Sequence, residues 1–389
     1  MNAGYNILII GIESMSRLNF KRTMPLTSRF LKDRGSIQML GYNKLGYNSF
    51  PNLFPILTGK SFKNVTHECK TGNVINTNKC QFIWDAFKIA GYKTILGSDS
   101  IAGLLGTYEY SLKKIPTDFY LQPVMFEIGN LFQHKDYNFH ACFNNKYFYK
   151  VLLDYIEGIT KHLKSTNWFG MFWEESVSHE DIDLPTIMDN DYVHMLENLS
   201  DYLNDTVLIF LSDHGMRWGK LAKTKNGRQE ERLPLLEVLF PKRFQNEYPI
   251  AFNNFKVNSN RLITPYDLHE TLLDLTKIDN LQNSNLSRRL NLVNSKTNKS
   301  SLFLPISEKR TCPSIGIEDH WCTCSLGQRI KITKNIRLSA SRYLVSHINK
   351  LLSAYPQCDR LSLKQIININ AVQAEKDKGK IFTIIILLT

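Results

Sequence analysis

The chain has 389 residues, 43% hydrophobic and 22% charged, which excludes intrinsic disorder and leaves room for one large α/β domain plus a smaller appendage. Its formal charge of +12 suits an anionic partner, but the basic residues are scattered without a run of five or six, which argues against nucleic acid. No apolar stretch reaches the roughly 20 residues of a membrane span.

Apolar strand-like runs alternate with helical patterns from the start, the signature of an α/β fold. Residues 5–12 read as a strand that ends on Glu13, followed by Ser14, Ser16 and Arg17. Residues 25–35 read as a helix ending at Gly35, and 36–43 as a second strand. In NSFPNLFPILTGK a helix starts, with Ser49 at or near its N-cap and Pro51 in its first turn. A helix follows over 80–92, a strand over 93–99 and a long amphipathic helix over 144–165. The run from Trp168 is a strand that enters an acidic loop bearing Glu175 and His179, and 191–204 is another helix. The apolar run from Thr206 breaks at once into Ser212, Asp213, His214 and Gly215. Residues 232–241 read as a buried strand and 264–278 as a helix. Beyond them, residues 279–301 are rich in Asn, Ser and Lys, the texture of a linker. The pattern divides the chain into a core over 1–280, a linker over 281–305 and a small Cys-bearing C-terminal domain over 306–389. The apolar tail 381–389 is too short to span a membrane and suits a final strand.

Two of these strands deliver chemistry to one place. Asp and neutral His are good ligands for first-row divalent metals, and open α/β sheets bind ligands at the carboxyl ends of their strands. Glu13 ends one apolar strand, and Asp213 and His214 end another. A hydroxyl at a helix N-terminus faces backbone N–H groups and the positive end of the dipole. Beside a divalent ion, Ser49 there becomes a nucleophile, whereas position alone makes it a helix cap.

Seven cysteines are present, and Cys69 and Cys80 bracket a polar loop that a disulfide would close in an oxidising compartment. The group Cys312, Cys322, Cys324 and His320 suits disulfides better than zinc, since Cys-x-Cys lacks knuckle spacing. An odd count leaves one thiol over. Five Asn-x-Ser/Thr sequons, at Asn64, Asn198, Asn204, Asn285 and Asn298, permit a secreted glycoprotein without requiring one. The first strand begins within a few residues of Met1, so neither a signal nor an anchor is visible and the chain reads as a possible fragment.

The motif order resembles the alkaline phosphatase and sulfatase-like superfamily: an acidic strand end, a Ser in a (T/S)FPN…TG segment, a later His-bearing loop, then SDHG. The runs GIESMSR, GYNSFPNLFPILTGK, SDHGMRWGK, GRQEERLPLL, RLITPYDLHETLLDL and RTCPSIGIEDHWCTC resemble an animal family within it, of the domain of unknown function 229 type. The resemblance implies a largely parallel central sheet flanked by helices. It implies that Glu13, Ser49, Asp213 and His214 hold one divalent metal, Zn or Mn ahead of Ca or Mg, and that Ser49 is the nucleophile. Glu13 and Ser49 stand where relatives carry Asp and Thr. Glu175 and His179 match the superfamily's Asp-x-x-x-His, so they imply a second metal or a substrate contact, with His179 as a candidate general acid. The third ligand of that second ion has no clear counterpart, because His269 falls in a segment similar to a structural helix. Arg17, Arg217, Lys220 and Arg228 are candidate clamps for phosphate or sulfate oxygens.

These expectations lead to a metal-dependent phosphoester hydrolase or phospho-group transferase in the secretory lumen or outside the cell. Its substrate would be an anionic phosphoester or sulfoester, lipid- or glycan-linked. A formylglycine sulfatase is disfavoured, since Leu53 stands where that motif requires Arg. The alternatives are a sulfate-ester hydrolase without formylglycine and a non-catalytic binding module.

Overall fold

The structure is a computed structural model that describes residues 4–72, 74–75, 79–104, 111–112, 115–131, 142–143, 145–292, 299–324, 328–330, 332–373 and 380–388. It forms two compact units, Met1–Thr323 and Cys324–Thr389. In the first unit the elements that position the site are β1 (Asn6–Ile12), α1 (Arg17–Thr23), β2 (Ile37–Gln38), α2 (Ser49–Thr58), β3 (Lys93–Ser98) and β4 (Phe119–Tyr120). They continue with α3 (Phe148–His162), β5 (Trp168–Glu174), α4 (Asp189–Asn198), β6 (Thr206–Leu211), α5 (Lys225–Arg232), β7 (Leu236–Leu239) and α6 (Pro265–Thr276).

The seven strands make one sheet in the order β2-β7-β6-β1-β5-β3-β4. The five from β6 to β4 run parallel, and β7 and β2 join antiparallel at one edge. Helices cover both faces, so β5 and β6 are buried at every position and β1 at all but Asn6. Their sequences are therefore continuous apolar runs without alternation. Alternate side chains still part to opposite faces. Ile7 and Ile9 pack with Phe54 and Leu57 of α2 and Leu268 and Leu272 of α6. Leu8 and Ile10 pack with Leu152 and Ile156 of α3 and Tyr192 and Leu196 of α4.

Local chemistry sets the helix ends. Helix α2 stops at Gly59, whose φ of 65° favours glycine, and a Cβ there would meet His269 Cδ2 at 2.6 Å. Helix α6 opens with a capping box of Thr264 and Asp267. Arg310 grips the same Asp267 carboxylate at 2.8 and 3.0 Å, and Ser300 N donates to it at 2.8 Å.

That anchorage changes the expected division. Instead of a linker through 305, Asn283–Leu292 is a helix and Leu302, Phe303, Leu304 and Ile306 are buried in the core. Sparse apolar residues in polar sequence hide a segment that is pinned by few but deep contacts. The strand expected over 36–43 pairs regularly only at Ile37–Gln38, because past Met39 the backbone turns to bond Ser259 and Ile263 instead. The helix expected over 191–204 breaks after Asn198 into a 3-10 turn at Tyr202–Asp205.

Cys69–Cys80 and Cys312–Cys322 are disulfides, so Cys312 and Cys322 offer no thiolate to zinc, and Cys324 and Cys358 are free. The second unit holds β8 (Gln328–Ile330), α7 (Lys334–Leu352), β9 (Leu363–Gln373) and β10 (Lys380–Leu388). Its three strands form an antiparallel sheet that includes the apolar tail. No helix among the described residues is long and apolar enough to cross a membrane.

Candidate metal and nucleophile site

Parallel register places four acidic strand ends along one edge of the sheet. Ile12 lies opposite Glu174, Gly11 opposite Leu211, and Trp173 opposite Ser98. The next residues outward are Glu13, Glu175, Asp99 and the Ser212-Asp213-His214 turn. This is where open α/β sheets present ligands.

Glu13, Asp213 and His214 are fully buried and offer ligand atoms within 4.8 Å of one another. Their orientation is fixed from outside. Asp213 Oδ1 accepts from the amides of His214 at 2.8 Å and Ser14 at 3.2 Å, which leaves Oδ2 facing inward without a hydrogen-bond donor. His214 Nδ1 lies 3.0 Å from Gly215 O, a contact that requires the proton on Nδ1 and a lone pair on Nε2. Nε2 finds no partner and lies 3.1 Å from Asp213 Oδ2 and 3.8 Å from Glu13 Oε1. Acceptors that face one another in a buried site are unfavourable unless a cation joins them. A donor set of one imidazole nitrogen and two carboxylates fits a divalent first-row ion.

The electrostatics agree with that fit. Burial pushes the His214 pKa down to about 4 against the pull of Asp213, which keeps the ring in its neutral, ligating form. Burial, then Asp213 and Glu175, push Glu13 well above the usual carboxylate range. Burial also works against the Asp213 carboxylate, but His214 and its hydrogen bonds hold it below that range. Burial followed by the charge of Asp99 raises Glu175 to about 7.

Ser49 is the first residue of α2 and donates to Glu13 Oε1 at 2.6 Å. The other Glu13 oxygen accepts from Trp173 Nε1 at 2.8 Å. That reach depends on Gly11, since a Cβ there would lie 1.9 Å from the Trp173 ring. Ser14 holds a φ of 55°, unusual for a non-glycine residue, and its buried hydroxyl has no partner.

The structure thus brings Glu13, Ser49, Asp213 and His214 together. Glu175 and His179 fall outside that 4.8 Å group, although the Glu175 charge is felt by Glu13, and among the described residues no third His, Cys, Asp or Glu joins the two within the same distance. His179 pairs with Glu180 at 2.7 Å and meets the Trp218 ring edge-on at 5.1 Å. Arg217 reaches the nucleophile helix, donating to Asn48 Oδ1 at 2.5 Å, one residue before Ser49. Arg17 instead lines a 160 Å³ pocket with Leu18, Asn226, Gln229, Glu230 and Leu233. Arg228 donates to Lys223 O at 3.1 Å, and Lys220 is exposed on a four-residue helix. His269 packs beneath Gly59 with Nδ1 2.7 Å from Ile56 O, a structural place.

Several residues with a part here carry no motif. Trp173 reads as core from its strand. Lys44 is fully buried, ion-paired with Glu231 at 2.6 Å and set 4.3 Å over the Trp321 ring. It joins the approach to Ser49 with the segment whose Glu231 carbonyl binds Gly215 N. Ser212 supports Met15 N at 2.9 Å, and only its place in the Ser-Asp-His-Gly run hints at a role.

A mostly parallel sheet with helices on both faces, carrying an acidic and a Ser-Asp-His-Gly strand end beside a helix-borne serine, is the fold that resemblance to the alkaline phosphatase and sulfatase-like proteins implied. The chain belongs to the family described as "Protein of unknown function (DUF229)", whose model matches residues 2–367. No curated protein matches. Among solved structures, the C-terminal periplasmic domain of EcEptC from Escherichia coli is similar at 12% identity over 71% of this chain and 83% of its own, with a TM-score of 0.50. Ps i-CgsB, in complex with k-i-k-neocarrahexaose, is 14% identical over 76% of this chain and 78% of its own, with a TM-score of 0.49. A protein in the alkaline phosphatase superfamily from Vibrio parahaemolyticus is 15% identical over 70% and 66%, with a TM-score of 0.46.

Proposed function

We propose that this chain is a metal-dependent phosphoester hydrolase or phospho-group transferase with Ser49 as its nucleophile. One observation carries the proposal: the Ser49 hydroxyl donates at 2.6 Å to Glu13, inside a buried set whose inward-facing acceptors lack donors. Glu13, Asp213 and His214 would hold Zn or Mn, whose Lewis acidity would favour the Ser49 alkoxide and the charge gathering on the ester. Ser49 Oγ attacks phosphorus as the bond to the leaving alcohol breaks, and its proton passes to water. The product is a phosphoserine, later resolved by water or an acceptor hydroxyl. Trp173 steers the Glu13 carboxylate, and Arg217, beside Asn48, takes ester oxygens. Lys220 and Arg228 add positive charge farther out, while the Arg17 pocket makes its part in the clamp the weakest of the four. His179, held by Glu180, serves as acid toward the leaving group, or with Glu175 as a contact to substrate or a second ion. Two disulfides support an oxidising compartment, extracellular or within the secretory lumen. Its substrates would be anionic esters, phosphoric ahead of sulfuric.

Elemental mass spectrometry tests this proposal on wild type, Asp213→Ala and His214→Ala. The expected result is about one Zn or Mn per chain, lost in both variants. Ser49→Ala should keep its metal and lose at least about a thousandfold of the turnover of bis-p-nitrophenyl phosphate. A folded wild type that takes up neither ion would make the chain a binding module, and turnover confined to p-nitrophenyl sulfate would make it a sulfate-ester hydrolase.

A further inference from the structure

We propose that Tyr47 and Trp218, joined by Arg217, form a subsite for an anionic oligosaccharide, the alcohol side of the ester that Ser49 attacks. The assignment rests on the function proposed above and adds its substrate class. Tyr47 is 58% exposed and Trp218 37%; Tyr47 lies two residues before Ser49 and Trp218 four residues after His214, in the fold's ligand-bearing loops. Large aromatic rings in water carry a hydration cost, and a protein that also fixes them in place is displaying a binding surface. Both are fixed. Trp218 Nε1 donates to Glu180 O at 2.9 Å and its ring meets His179 at 5.1 Å. Tyr47 stands 6.0 Å from the Trp321 ring, and its carbonyl accepts from Arg217 at 3.4 Å. Arg217 lies over both exposed rings, 5.1 Å from each centroid.

Charge states the sign of the occupant. Among the described residues no carboxylate pairs with Arg217, and its buried Nε has no acceptor. Lys220, three residues on, is exposed and equally uncompensated. The nearby acids are engaged, Glu180 with His179 and Glu231 with Lys44. An anion therefore fits.

Geometry states its shape. The guanidinium already covers one face of each ring, so a nucleobase cannot be sandwiched between them. What remains is the exposed part of each ring with a cation between, Tyr47 also lying under Lys44 Nζ at 5.7 Å and beside Trp321. A pyranose offers C–H groups that its oxygens make partly positive, and these suit the negative face of an aromatic ring. Successive sugars then touch the two rings while an anionic substituent meets Arg217. A preorganised platform of this kind binds an extended chain with little loss of side-chain entropy.

The test is calorimetric titration of Zn-loaded Ser49→Ala protein with heparin and chondroitin sulfate tetrasaccharides and a phosphorylated oligomannose. Maltotetraose, adenosine monophosphate and phosphatidic acid vesicles are the comparators. At least one anionic saccharide should bind about tenfold tighter than maltotetraose. Adding Trp218→Ala or Tyr47→Ala should weaken that binding about tenfold, and Trp218→Phe should keep it within about threefold. Thermal melting of each variant separates lost contact from lost fold. The inference is overturned if no anionic saccharide exceeds maltotetraose, if both alanine variants bind as the parent does, or if only the nucleotide or the vesicles bind through Trp218. Metal content and Ser49-dependent turnover of the small diester stay separate readouts. Turnover without saccharide binding rejects the subsite alone, and Trp218-dependent binding without metal or turnover rejects the proposed enzyme and keeps the surface.

Discussion

Glu13 stands at the meeting point of the site: one oxygen accepts a hydrogen bond from the Ser49 hydroxyl and the other is tied to the Trp173 indole. A carboxylate with a longer side chain than Asp has more rotamers to lose, and the indole removes that freedom. Trp173→Phe deletes the donor together with part of the ring buried over Gly11. It should lower metal affinity about 10–100-fold, read by competition with a chelating dye, and lower the melting temperature as well through the cavity it leaves. Lys44 offers a second prediction. Burial lowers its pKa from 10.5 to about 8 in spite of the Glu231 ion pair. The folded state thus gives up its proton before the unfolded state does, so stability rises with pH between about 8 and about 10.5 and is flat below. Urea unfolding across that window should show a gain of about 3 kcal/mol in wild type that Lys44→Met lacks.

At the level of elements, α2 carries the nucleophile at one end and a glycine stop at the other. Gly59→Ala combines a φ of 65° with a Cβ only 2.6 Å from His269. The expected cost is about 1–3 kcal/mol, seen as a lower urea midpoint with metal content unchanged, because the strain sits a full helix away from Ser49. The same helix shows what sequence can reveal. Its start and its Pro51 were legible as local chemistry, as were the apolar strands that end on Glu13 and Asp213. Lys44 and Trp173 were not, because their roles arise where distant segments meet: an indole from the neighbouring strand, and an ammonium closed over by Glu231 and Trp321. The linker expected through 305 failed for a related reason. A few residues, Leu302 to Ile306, hold that segment by burial, and Arg310 locks it to Asp267, with no periodic pattern to announce either.

For the whole molecule, a binding ion acts as a folding ligand. Glu13, Asp99, Glu174 and Asp213 are all buried at one sheet edge. Burial followed by the Asp99 charge raises Glu174 to about 8, and burial raises Asp99 to about 6. An ion that binds only the native state adds about 2.7 kcal/mol at a concentration a hundred times its dissociation constant. Chelation should therefore lower the melting temperature of wild type reversibly and leave that of Asp213→Ala unchanged, as scanning calorimetry can check.

This row of acids also bears on how the protein is made. On the function proposed above, a chain that closes its sheet before meeting an ion must first take up protons on several of these acids, so folding would draw on metal supply. In metal-depleted medium the expected outcome is faster turnover of newly made chains. A Glu13→Gln, Asp213→Asn double variant, which needs neither proton nor ion there, should turn over at the same rate with or without metal, as pulse-chase labelling would measure.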